Sequence, residues 1–147
     1  MNYQTKPDKC RILALDLGKK RIGLALSDPL GITAQGLPTL ERTRIREDLA
    51  ALEALIAKNE VTMILMGHPL HMSGREGRQA EYTREFAGKL AKQTGIEIRF
   101  WDERFTTVEA TRVLKQSGIS IGKRAKAVDR LSAVILLESF LGSEGQP

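Results

Sequence analysis

Two aliphatic runs open the chain, RILALDL at 11–17 and RIGLALSD at 21–28, with only GKK between them. So short a link forces the two strands to pair antiparallel. Residues 32–40, bounded by Gly31 and carrying Pro38, read as a third strand. The period then changes. Ile45, Leu49, Leu52, Leu55 and Ile56 recur at the spacing of one helical face. VTMILMG at 61–67 is strand-like again and is ended by Gly67, His68 and Pro69. Tyr82, Phe86 and Leu90 lie in helical register. Ser73 and Glu76 have capping-box spacing before them, and Gly95 is a natural stop after them. IEIRFW at 96–101 returns to a strand and runs into DERFTT. Thr106 and Glu109 form a second capping-box pair, opening a helix to about residue 116. The glycine-rich basic stretch SGISIGKRAKA at 117–127 reads as a loop, and 128–141 as a last helix, apolar on most sides.

An antiparallel meander followed by α/β crossovers predicts an α/β fold with a mixed five-stranded sheet flanked by helices. The length, 147 residues, suits one domain over 1–147, with 1–9 as a loose tail. A hydrophobic share of 41% supplies a core, yet no apolar run approaches the roughly 20 residues of a membrane span. The first ten residues have no apolar signal core, and Cys10 is the only cysteine, so a cytoplasmic protein without disulfides is expected. Lys and Arg number 23 against 18 Asp and Glu, a net +5 that favours polyanionic partners such as nucleic acid, and with no long apolar run no membrane partner is expected.

In sheets of this kind, sites gather at the carboxyl ends of strands. Asp16 lies near the end of the first strand, and Asp102 and Glu103 at the end of the last. Each has a plain structural alternative, since aspartate at a strand end caps turns or pairs with a neighbouring cation. Asp129 shares a helical face with Ala133, Leu136, Leu137 and Phe140. A carboxylate on a face that must be buried needs a cation, a metal or hydrogen bonds, unless it only complements the helix dipole. Carboxylates from two strand ends and one helix start can together hold hard divalent cations such as Mg²⁺ or Mn²⁺, the arrangement that supports phosphodiester cleavage. The surrounding cations would then contact the phosphate backbone: Lys19, Lys20 and Arg21 by Asp16, Arg104 by Glu103, and Lys123, Arg124, Lys126 and Arg130 by Asp129.

Four blocks, DLGKKRIGLALSD (16–28), GHP (67–69), DERFTT (102–107) and KRAKAVDRLSAVILLESFL (123–141), stand in the order and spacing of a known family. The chain resembles the YqgF (RuvX-type) proteins, named as pre-16S ribosomal RNA nucleases and related to RuvC-type Holliday junction resolvases. The resemblance implies an RNase H-like fold and metal-dependent cleavage of nucleic acid. Position by position, Asp16, Glu103 and Asp129 match the family's acidic residues, with Asp102 competing with Glu103. His68 departs from the pattern, where an apolar residue is expected. The acidic ligand that RuvC-type enzymes carry near the end of that strand is absent.

The expected function is therefore a metal-dependent nuclease processing the 5′ end of pre-16S ribosomal RNA, in contact with the ribosome or a pre-30S particle. The alternatives are a resolvase acting on branched DNA, which calls for a dimer, and a non-catalytic RNA-binding assembly factor. A monomer or weak homodimer is expected. His68 and His71 lack the further ligands of a zinc site. Trp101, closing an apolar strand, is expected in the core rather than on a base.

Overall fold

The computed structural model describes residues 11–68, 77–102 and 121–144, at backbone level only for 102, 121–129 and 144. Its elements are β1 (Ile12–Leu17), β2 (Arg21–Ser27), β3 (Ala34–Glu41), α1 (Ile45–Lys58), β4 (Met63–His68), α2 (Arg78–Thr94), β5 (Glu97–Asp102) and α3 (Ile121–Glu144). The strands form one mixed sheet in the order β3-β2-β1-β4-β5. β1, β2 and β3 make the antiparallel meander, while β4 and β5 join β1 in parallel. The carboxyl ends of β1, β4 and β5 therefore meet at one rim.

β1 is central and covered on both sides, which explains its near-continuous apolar run. Leu13, Leu15 and Leu17 point to the side of α1 and α2, where Leu24, Leu52, Ile64, Met66, Phe86 and Leu90 join them. Ile12 and Ala14 point to the other side, where Ala25, Leu65, Ala133, Leu136, Leu137 and Phe140 close a second core. The small side chains of Ala14 and Ala25 let α3 lie close to the sheet.

Three local features follow from sequence chemistry. The β1–β2 turn closes with Gly18 N–H donating to the Arg21 carbonyl at 2.9 Å. A Cβ at Gly18 would come within 2.7 Å of that oxygen, so only glycine fits. Gly95 ends α2 at φ 73°, the left-handed stop expected of it. Between β2 and β3, the Asp28 carboxylate accepts the backbone N–H groups of Ile32 and Thr33 at 2.6 and 2.9 Å. Its pKa is lowered, first by the Thr33 hydrogen bond, although the group is solvent-exposed.

The basic stretch at 117–127 departs from expectation. Residues 121–127 belong to α3, which runs for 24 residues instead of starting at 128. After Gly122 the segment KRAKA consists of strong helix formers, and α3 packs on the sheet for much of its length. Glycine and serine at 117–122 hide this continuity in the sequence. The capping-box pairs Ser73/Glu76 and Thr106/Glu109, and the helix expected over 106–116, lie outside the described residues. Among the described residues, no helix is long and apolar enough to cross a membrane.

Candidate active site

Asp16 sits where β1 leaves the core: Ile12 to Leu15 are buried and Asp16 is half-buried. Strand alternation puts it in phase with Ile12 and Ala14, on the α3 side. On this face its neighbours along the sheet are both glycines. Gly23 is directly opposite on β2, and Gly67 lies one step beyond the Leu15–Met66 pair on β4. The strand positions on either side of Asp16 therefore carry no side chain.

α3 runs antiparallel to β1. The Arg130 Nε donates to the Leu37 carbonyl at 3.1 Å, and Leu37 is level with Leu15 through Leu24. Further along α3, Phe140 and Leu141 lie beside Ile12 and Met63, at the start of the strands. The amino-terminal half of α3 therefore lies over the carboxyl end of β1. Asp129, next to Arg130 and in the stripe of Ala133, Leu136, Leu137 and Phe140, is placed at the rim where Asp16 stands. Lys123, Arg124 and Lys126 occupy the turns of α3 before it.

On β5, Asp102 is level with His68 of β4. Trp101 packs, half-buried, against the α3-side core, edge-to-face with Phe140 at 5.2 Å, and its indole N–H donates to Ser139 Oγ at 3.0 Å. The expected core position is thus met in part. Glu103 and Arg104 lie outside the described residues, as does His71. The side chains of Asp102, Asp129, Lys123, Arg124 and Lys126 also lie outside them. Among the described side chains, no three carboxylates, imidazoles or thiols gather into a metal-binding group. His68 is in phase with Met66 on the α1/α2 side, against Phe100 at 5.2 Å, and so faces away from Asp16. Asp16 offers carboxylate oxygens, a donor type that suits hard divalent cations such as Mg²⁺ or Mn²⁺.

The sequence reading missed a set of residues that hold the β1–β2 turn from the other side. Arg42, in the β3–α1 connection, donates through Nη1 to the Gly18 carbonyl at 2.8 Å and through Nη2 to the Tyr82 hydroxyl. Its Nε pairs with Asp48 at 3.1 Å, with side-chain exposures of only 9% and 2%. The Asp48 carboxylate also accepts the Thr43 backbone N–H at 3.0 Å. Gln79 of α2 donates to the Leu17 carbonyl at 3.2 Å. These contacts bridge residues up to 62 positions apart, and no local pattern announces them.

A family description reading "RuvX: Holliday junction resolvase" matches residues 10–143. The chain belongs to the RuvX family. A relative from Koribacter versatilis, named "Putative pre-16S rRNA nuclease", is 57% identical over 135 residues, covering 92% of this chain and 88% of its own. One of the same name from Myxococcus xanthus is 44% identical and covers 93% and 91%. Among solved structures, RuvC of T. thermophilus in complex with a Holliday junction substrate superimposes with a TM-score of 0.57. It has 11% identity and covers 93% of this chain and 97% of its own. The Fowlpox virus resolvase with Holliday junction DNA gives 0.60 at 12% identity, covering 92% and 99%. This RuvX-family chain has the RNase H-like fold of those resolvases, as its motifs imply.

Proposed function

We propose that the chain is a metal-dependent nuclease that processes precursor 16S ribosomal RNA. The observation that carries this reading is Asp16, flanked by Gly23 and Gly67 at the rim where β1, β4 and β5 end, beneath the amino-terminal half of α3. The names of the relatives supply the substrate. Asp16, Glu103 and Asp129 are the proposed ligands of Mg²⁺ or Mn²⁺. Glu103 is preferred to its neighbour because the backbone of Asp102 is level with His68 and in phase with Phe100, opposite in phase to Trp101. Asp16, Glu103 and Asp129 would hold the ions through carboxylate oxygens, the donor type that hard divalent cations take. Divalent cations held there supply Lewis-acid activation for phosphodiester hydrolysis. The chain's own part is to fix the carboxylates on a rigid sheet and to hold the phosphate backbone with Lys19 and Lys20 from the turn and Lys123, Arg124 and Lys126 from α3.

The test is cleavage of labelled precursor RNA with Mg²⁺, with Mn²⁺ and with chelator. Asp16→Asn is expected to lower turnover more than about 100-fold, beyond the effect of merely disturbing a ligand's support. Retained turnover in folded Asp16→Asn protein would sink the assignment. A second reading, resolution of branched DNA, is favoured by the fold shared with the resolvases. Cuts confined to a four-way junction, made by a dimer in sedimentation, would select it.

A further inference from the structure

Around the β1–β2 turn from Asp16, on the α1/α2 side of the same rim, lies an open groove of about 770 Å³. Its walls come from three separate parts of the chain: Lys19 and Lys20 in the turn, Thr43 before α1, and Arg78 and Tyr82 on the first two turns of α2. The size is within the 300–1,000 Å³ of ligand sites. Arg42, also in its wall, is neutralised by Asp48 and serves as a brace. Lys19, Lys20 and Arg78 set three positive charges against one from Glu41, so the groove suits an anion. Tyr82 adds an aromatic surface that is 36% exposed, although its hydroxyl and ring are held by Arg42. A rigid, partly exposed ring among cations is what an unpaired nucleotide stacks on.

We infer that this groove holds the single-stranded segment of the RNA next to the cleaved bond. Its phosphates lie against Lys19, Lys20 and Arg78, and a base rests on Tyr82. The inference rests on the nuclease reading for its substrate and extends it to α2, which carries none of the proposed metal ligands. The turn lysines link the two regions. Asp16 is on one side of them and the groove on the other, so a strand leaving the carboxylates crosses the turn into the groove. The bracing of that turn by Arg42 and Gln79 keeps the path in one shape.

The experiment is fluorescence anisotropy of a short labelled single-stranded RNA with the full chain in chelator, so that binding is read without cleavage. Arg78→Glu is expected to weaken binding at least about tenfold and to lower the log–log salt slope by about one. Tyr82→Leu is expected to weaken it about tenfold. Lys58→Glu, the same charge change at the far end of α1, serves as control and is expected to bind as the parent does. Circular dichroism and melting would confirm that each variant folds. Folded Arg78→Glu and Tyr82→Leu proteins that bind like the Lys58→Glu control would overturn the groove, as would preference for a fully paired hairpin over the single strand. Cleavage run in parallel separates the two claims. RNA binding that needs Arg78 and Tyr82 in a parent protein that cuts nothing would retain the groove and remove the nuclease. Normal cleavage with an unchanged KM in both variants would do the reverse.

Discussion

Asp16 and Arg42 act at the same turn for opposite reasons. Asp16 is half-buried beside two glycines, and its value lies in what it can hold. Arg42 is nearly enclosed and reaches three partners, Asp48, the Gly18 carbonyl and Tyr82, so its value lies in what it fastens. Removing one member of a buried pair strands the other charge. Arg42→Ala is therefore expected to cost about 3–5 kcal/mol in urea denaturation, while removing Arg42 and Asp48 together should cost less than the separate losses added. An additive double replacement would show that the pair is not coupled. Lysine is no substitute at 42, because its single ammonium lacks the planar fork that serves separate partners.

Among the elements, α3 and α2 differ in how their glycine neighbours are used. α3 crosses β3 at Gly36, where a Cβ would stand 2.7 Å from Arg130 Cγ and 3.3 Å from Val134 Cγ2. Gly36→Val is expected to push the helix from the sheet and destabilise the protein by about 1–3 kcal/mol. Because Asp129 adjoins Arg130, nuclease activity should fall further than the loss of folded protein explains. Gly88, exposed inside α2, has nothing within 4 Å of a would-be Cβ. Gly88→Ala should raise stability by about 0.4–1 kcal/mol. Melting curves of the two variants check both signs.

For the whole molecule, the net charge of +5 matters through its placement. Cations from the turn and from α2 line one rim, so RNA association should depend strongly on salt. With three or four phosphates neutralised on a single strand, kcat/KM is expected to fall roughly 20- to 50-fold between 50 and 200 mM salt. The turnover number at saturating RNA should change little. A flat salt response would mean that the rim cations do not meet phosphate.

Much of this architecture was legible beforehand, because strand and helix periods are local and burial enforces them. The GKK link allowed only an antiparallel β1–β2 pair, and the aliphatic run RILALDL placed Asp16 near the end of the first strand. The same locality misled at 117–127, where glycine and serine signalled a loop and helix-forming residues carried α3 back to Ile121. By itself the sequence determined the order of the described elements and the family blocks, and it named the carboxylates that the proposal uses. Only the tertiary structure decided that Gly23 and Gly67 flank Asp16, that His68 faces the other way, and that Arg78 and Tyr82 share a groove with Lys19 and Lys20. Apart from Gly23, which faces Asp16 across the β1–β2 hairpin, those relations join residues tens of positions apart through sheet register and helix packing, which no spacing along the chain encodes.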